Sequence, residues 1–181
     1  MKKKGWLSVV ALVLVLCCAV GGTLAWLTAK TDPVENEFTV GDIDITLAES
    51  KNLDLKMVPG RELYKDPKVT VKAGSEACWL FVKVEKSANF DEFLTYTMAD
   101  GWEQLADVDD VFWREVDAAE TDTVFQVLAD DKVMVRSTVT KAMLQGVKEK
   151  TKRPTLTFTA YAVQKDGFAD AAAAWDEVPN A

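Results

Sequence analysis

The 181-residue sequence contains no histidine, and this absence excludes several kinds of chemistry. Histidine is the side chain whose ordinary pKa lies nearest neutrality, and it is the commonest zinc ligand. Without it the chain cannot form a Ser-His or Cys-His nucleophile pair or an HExxH zinc motif. The sequence also has no GxSxG motif and no glycine-rich phosphate loop. A hydrolase that uses carboxylates alone stays open, but no sequence feature singles out two of the 29 acidic residues for it. We therefore expect no enzymatic activity, no catalytic residues, no metal site and no cofactor.

Cysteine is scarce, and its placement excludes an internal disulfide framework. Two of the three cysteines, Cys17 and Cys18, lie in an apolar run near the N-terminus. Only Cys78 lies in the body of the chain, inside the apolar pattern "ACWLFVKV". A single thiol cannot form an internal disulfide or a metal cluster. We predict that Cys78 is a buried core residue, because free cysteine packs well as a small hydrophobe.

Acidic residues outnumber basic residues, and the resulting negative charge disfavours anionic binding partners. There are 21 lysines and arginines against 29 aspartates and glutamates, a net charge of -8. Three of the lysines, Lys2 to Lys4, are at the N-terminus, so the remainder is still more acidic. Such a body repels nucleic acid and anionic lipid headgroups. We expect no nucleic-acid binding, and membrane contact only through the N-terminal segment before that segment is removed.

The N-terminus has the pattern of a secretory signal peptide, which we assign to residues 1–25. Lys2 to Lys4 supply the positive region, and the uncharged run "GWLSVVALVLVLCCAVGG" supplies the apolar region. Thr23 and Ala25 are the small residues that a signal peptidase reads, so the expected cleavage lies between Ala25 and Trp26. The mature protein is then expected to be secreted, in the extracellular matrix or at the cell surface.

A second interpretation of the same segment stays open. No residue from Gly5 to Ala29 is charged, and about 20 apolar residues are enough to span a bilayer. Uncleaved, the segment would anchor the chain by a single helix, and the external domain would be a binding module of unknown ligand.

Short alternating segments dominate the body of the chain and predict an all-β fold. In "TLTFTAYAVQ", Leu156, Phe158, Ala160 and Ala162 would face one side, and threonines and Tyr161 the other. We expect an antiparallel β-sandwich of jelly-roll or immunoglobulin type over residues 38–181, with two or three short helices, following an N-terminal signal helix. Residues 26–37 would form an extended segment between them, because Pro33 rules out a regular helix.

Three local expectations accompany this fold. "DTVFQVL" and "KVMVRS" flank "ADD", a pattern typical of a hairpin. Trp102 is expected to be more exposed than Trp79 and Trp113. The acidic clusters at residues 107–110 and at Asp130 and Asp131 are interpreted as solvated turns; calcium binding stays open.

The stretch "GGTLAWLTAKTDPVENEFTVGDIDITLAE" resembles the N-terminus of the TasA/camelysin group of Gram-positive exported proteins. The shared pattern is Gly-Gly, Thr, a small residue, an aromatic residue, a polar stretch, Phe, a Gly turn and Asp-hydrophobe alternation. Two body segments are also similar, "MVPGRELYKDPKVTVKAGSEACWLFVKVE" and "LTFTAYAVQKDGF". The turn motif in the first consists of Pro59, Gly60, Lys65, Asp66 and Pro67.

The resemblance implies processing by a SipW-type signal peptidase and a jelly-roll-like domain that self-associates into extracellular matrix fibres. In such fibres an N-terminal segment of one subunit completes the sheet of the next. A segment of residues 26–37 could play that part by β-augmentation, and the candidate strand residues are Trp26, Leu27, Thr28, Ala29 and Val34. A flexible tail is the alternative. The metalloprotease activity described for some camelysin relatives is not implied, because the chain has no histidine.

Overall fold

The computed structural model describes residues 42–50 and 55–178, which form mostly antiparallel β-strands with three short helices. The predicted signal peptide and the extended segment of residues 26–37 lie outside the described residues. The ten strands are β1 Ile45–Ala48, β2 Glu62–Tyr64, β3 Lys68–Val71, β4 Cys78–Lys86, β5 Leu94–Thr95, β6 Glu103–Gln104, β7 Val111–Val116, β8 Thr123–Gln126, β9 Lys132–Val135 and β10 Leu156–Gln164. The all-β prediction is confirmed at this level.

Three α-helices and two 3-10 turns connect the strands. The helices are α1 Phe90–Phe93, α2 Lys141–Gly146 and α3 Ala171–Trp175. The Asp170 carboxylate accepts a hydrogen bond from the Ala173 amide at 2.9 Å, and the Thr140 hydroxyl caps α2 in the same way. These side-chain caps satisfy amides that a helix N-terminus leaves without partners. The 3-10 turns span Ala129–Asp131 and Lys150–Lys152.

The strands form three antiparallel sheets. Sheet I has the order β1-β3-β8, sheet II the order β10-β4-β7-β6, and sheet III the order β2-β9-β5. β4 is the longest interior strand; it pairs with β10 from Leu156↔Lys86 to Gln164↔Cys78 and with β7 on its other side. The edge strands are β1 and β8 in sheet I, β10 and β6 in sheet II, and β2 and β5 in sheet III.

β4 is buried on both faces over most of its length, as its near-continuous apolar sequence predicts. On one face Cys78, Leu80, Val82 and Val84 pack with residues of sheet I, including Val69 and Val71 of β3. On the other face Trp79 and Phe81 pack with α3, and the Phe81 and Trp175 rings lie 5.1 Å apart. A third cluster joins sheet III to α1 through residues such as Leu63, Phe90 and Val135.

Two local expectations are wrong. The segments expected to pair as a hairpin, β8 and β9, lie in different sheets: β8 pairs with β3, and β9 pairs with β2 and β5. Between them Val127 and Leu128 are buried and carry the chain from one sheet to another. Trp102 is only 8% exposed, because it packs in the core beside β8 and its indole N–H donates to the Gln126 carbonyl at 2.8 Å.

Truncation of Phe81 tests the double burial of β4. Phe81 is fully buried, so Phe81→Ala should lower the free energy of unfolding by about 3–5 kcal/mol through lost burial and a new cavity. Glu85→Ala, an exposed position on the same strand, should change it by no more than about 0.5 kcal/mol. Urea denaturation of both variants measures the difference. Equal stabilities would contradict the assignment of Phe81 to the core.

Candidate functional site

The residues expected at the signal cleavage site and in the donor strand lie outside the described residues. These are Thr23, Ala25 and Trp26 for cleavage, and Trp26, Leu27, Thr28, Ala29 and Val34 for the strand. Both expectations stay predictions. The turn motif lies within the part of the chain that the structure describes.

Pro59 and Gly60 form a tight turn that leads into β2. The Arg61 amide donates to the Val58 carbonyl at 3.0 Å, and the Gly60 amide donates to Val135 of β9 at 3.0 Å. Gly60 has φ +74°, a backbone conformation that favours glycine. The turn therefore fixes the register of β2 against β9.

Lys65 and Asp66 bond to Glu49 and Ser50, the two residues that follow β1. The Lys65 Nζ donates to both Glu49 carboxylate oxygens, at 2.8 and 2.9 Å, and lies over the Phe158 ring of β10. Asp66 is only 4% exposed; it accepts from the Ser50 amide at 3.0 Å, the Ser50 hydroxyl at 2.7 Å and the Tyr64 hydroxyl at 3.1 Å. A buried carboxylate is stable only when its oxygens are satisfied in this way.

The hydrogen bonds from Ser50 lower the pKa of Asp66, while partial desolvation opposes them. Pro67 is fully buried, and its carbonyl accepts from the Val127 amide at 3.0 Å. The residues of the turn motif thus connect sheet III to sheet I. Their contacts are structural hydrogen bonds and ion pairs near the first residues of β10, and they form no nucleophile–base pair.

The outer edge of β10 is the most unusual feature of this region. The Ser87 amide donates to the Thr155 carbonyl, and the Lys165 amide donates to the Ala77 carbonyl, so odd-numbered residues of β10 bond to β4. The backbone groups of Leu156, Phe158, Ala160 and Ala162 consequently point away from β4. No strand among residues 42–50 and 55–178 pairs with that edge.

β10 also lacks the devices that usually protect an edge. Its nine residues, LTFTAYAVQ, include no charged residue and no proline. Its side chains pack into the cores on both faces: Leu156, Phe158, Ala160 and Ala162 on one, Tyr161 and Val163 on the other. Proteins normally shield such edges with a neighbouring strand, lysine, proline or a bulge. Within the described residues, β1 lies close to β10 without pairing with it, so this edge keeps unpaired backbone groups.

A groove lies at the Leu156 end of this edge, made of two adjoining cavities of about 500 and 280 Å³. Both cavities are lined by Lys65, Leu156 and Thr157. The larger also contains the apolar residues Leu55, Met57, Leu63, Phe90, Leu94 and Val133 and the cations Lys150 and Arg153. No carboxylate of residues 42–50 and 55–178 lines that cavity. In a chain of net charge -8, this local excess of cations is distinctive.

Sequence pattern does not single out Lys150 and Arg153, nor does it single out Arg114. Arg114 stacks on Phe125 at 4.0 Å and lies over Trp102, and its buried Nε has no hydrogen-bond partner among the described residues. Burial lowers the pKa of Arg114. Arg114 of β7 thus contacts Phe125 of β8 through cation-π packing. No local sequence pattern identifies the cationic cavity or the stacking of Arg114, because both depend on which strands lie next to one another in the fold.

Other chemistry is sparse in the described part of the chain. Cys78 is fully buried, as predicted, and desolvation raises its pKa to about 11, so it is not poised as a nucleophile. Residues 42–50 and 55–178 contain no group of three or more histidine, cysteine or acidic side chains placed to hold a metal ion. None of the helices within these ranges has the length and apolar character needed to cross a membrane.

Comparisons with protein-family models, with curated protein sequences and with solved structures return no match to this chain.

The pKa of Asp66 predicts a specific acid sensitivity. Its folded pKa lies below its ordinary value of 3.8, so the stability it contributes is present at neutral pH and is lost as the pH falls through about 4 toward the lowered value. Asp66→Asn should lower the melting temperature at pH 7 and flatten its decline between about pH 5 and pH 2. Melting temperatures across this range measure the effect.

Glu120→Gln is the matched control, because Glu120 is exposed and no described group bonds its carboxylate. Its melting curve should follow that of the parent at every pH. A parent-like pH profile for Asp66→Asn would show that the Ser50–Asp66 network adds no pH-dependent stability.

Proposed function

We propose that this protein is an exported structural subunit of extracellular matrix or cell-surface fibres, processed by a SipW-type signal peptidase. The observation that carries the proposal is the nine-residue outer edge of β10, which is uncharged and pairs with no described strand. Such an edge is a template for strand addition. The residues that would be donated belong to the segment 26–37, on the N-terminal side of the domain.

A β-sandwich of jelly-roll or immunoglobulin type is the architecture we propose for the domain. Sheets I and II share one hydrophobic cluster, built from alternating residues of β3, β4 and β10. Shared burial between the inner faces of two sheets is the basis of a sandwich. β1 and β10 lie close to each other without pairing, so a further strand would have to pair with the outer edge of β10 beside β1.

The scarcity of reactive groups supports a structural role over an enzymatic one. The sequence has no histidine, and the thiol of Cys78 is buried with a raised pKa. Nucleophile pairs and zinc sites that depend on histidine cannot form in this sequence. The family resemblance in the N-terminal 50 residues and in the turn motif agrees with export and self-association.

Removal of the signal peptide is the first expected event. We expect the protein in the culture medium to begin at Trp26, because Thr23 and Ala25 precede that bond as a signal peptidase requires. N-terminal sequencing and intact mass of protein from cells and from medium provide the measurement. A membrane-bound chain that still begins at Met1 would instead support the single-pass anchored binding module.

Blocking the outer edge of β10 should prevent assembly. Ala160→Pro removes an outward-pointing amide and leaves the bonds from β10 to β4 intact, so fibre formation should fall at least tenfold. Deletion of residues 26–37 should have the same effect. Electron microscopy and sedimentation of the secreted protein measure fibres, and circular dichroism verifies that each variant is folded.

Val124→Pro is the matched control on a different edge. Val124 lies on β8, its backbone points away from β3, and its side chain is 57% exposed. This variant should assemble like the parent. Fibres that form equally well from a folded Ala160→Pro protein would rule out strand addition at β10.

A further inference from the structure

We infer that the larger cavity at the Leu156 end of β10 binds a single-chain anionic amphiphile, a carboxylate that carries a medium-length alkyl tail. Nothing in the proposed function requires such a ligand, so the inference goes beyond it. The cavity has a volume of about 500 Å³. This volume lies within the range of about 300–1,000 Å³ that is typical of small-molecule sites.

The floor of the cavity is apolar and buried. Leu63 of β2, Phe90 of α1, Leu94 of β5 and Val133 of β9 line it, and none of the four is more than 8% exposed. All four belong to the hydrophobic cluster that joins sheet III to α1, so the floor is held in place by packing. Because these side chains offer no hydrogen bonds, the floor favours an alkyl tail over a polar ligand.

The rim of the cavity is cationic. Lys150 and Arg153 line the cavity, and both side chains belong to exposed residues. Lys65 also lines it, but its Nζ already donates to both carboxylate oxygens of Glu49. A carboxylate head group at the rim would be attracted to Lys150 and Arg153, and a cationic head group would be repelled. An apolar floor below a cationic rim therefore matches an anionic amphiphile.

The rim segment is anchored to the residues that precede α1. The Asn89 Nδ2 donates to the Lys152 carbonyl at 2.9 Å, and the Thr155 amide donates to the Ser87 hydroxyl at 2.9 Å. These bonds fix the backbone from which the rim cations project. A site that is formed before the ligand arrives loses less entropy on binding.

A dispersed amphiphile suits this protein better than an anionic membrane does. The chain carries a net charge of -8, so a bilayer of anionic lipids repels its surface as a whole. A single carboxylate at the rim interacts mainly with the nearby cations, because salt screens more distant charges. We therefore assign the cavity to single amphiphile molecules.

A series of ligands with different head groups and chain lengths tests the inference on the full chain. The probes are decanoate, decanol and decyltrimethylammonium, each below its micelle-forming concentration, and titration calorimetry measures their dissociation constants. Decanoate should bind at least about tenfold more tightly than decyltrimethylammonium, because only the carboxylate is attracted to the rim. Octanoate should bind about 15-fold more weakly than decanoate, because each buried methylene contributes a factor of about four.

A rim variant, Lys150→Glu with Arg153→Glu, separates the contribution of the head group from that of the tail. Its affinity for decanoate should fall at least about tenfold, whereas its affinity for uncharged decanol should stay within about threefold of the parent. The matched control reverses two other exposed cations that do not line the cavity, Arg136→Glu with Lys141→Glu. The control has the same net charge as the rim variant and should bind decanoate like the parent.

The Met57 methyl group reports where the ligand binds. Met57 lines the cavity, whereas Met134 of β9 does not. In protein with isotope-labelled methionine methyl groups, decanoate should shift the NMR signal of Met57 and leave that of Met134 unchanged. This measurement needs no substitution, so it decides the site even where the rim variant does not fold.

Several outcomes would overturn the inference. They are no binding of decanoate, equal affinities of the parent for decanoate and decyltrimethylammonium, parent-like binding of decanoate by a folded rim variant, and binding that leaves the Met57 signal unshifted. Binding to phosphatidylglycerol vesicles without binding of decanoate would indicate a membrane-docking surface instead. Fibre formation is measured separately, so a failure here leaves the proposed function in place.

Discussion

The pairing of β4 with β10 over nine residue pairs is the interaction on which the other layers depend. β4 carries the core of the domain: one face packs with sheet I and the other with α3. Its backbone groups lie deep in that core and need partners in both directions, which β7 and β10 supply. Because β10 pairs with β4, its side chains pack into the same two hydrophobic clusters as those of β4. The second edge of β10 has no partner among the described strands. This unpaired edge is a consequence of placing β10 where it satisfies the backbone of β4.

Much of the strand content could be predicted from local pattern, whereas strand pairing could not. Alternation in β3 and β10, and the continuous apolar run of β4, are visible in the sequence because side chains on a strand alternate between faces. β8 and β9 show equally good patterns, but the buried pair Val127 and Leu128 between them sends the chain into another sheet. Pairing partners are decided by non-local burial, which a local pattern does not contain.

The candidate site also has one part that local sequence pattern predicts and another part that it does not. The turn motif could be found from its residues, since Pro-Gly and Asp-Pro are strong turn signals, and Gly60 does adopt a positive φ. What the motif does could not be found: the Lys65–Glu49 pair and the Ser50–Asp66 bonds link residues 16 positions apart. Lys150 and Arg153 become distinctive only when the fold places them in a cavity at the end of β10 that no carboxylate of the described residues lines.

The assembly of identical acidic subunits that we propose has an electrostatic cost, which contacts between the subunits must offset. Copies of net charge -8 repel one another, and an acidic segment is repelled by most of the surface of its neighbour. The backbone edge of β10 offers hydrogen bonds to any extended chain and cannot by itself choose a partner or a direction. In the proposed assembly, strand addition would supply the backbone hydrogen bonds, and side-chain contacts beside the edge would have to supply the direction.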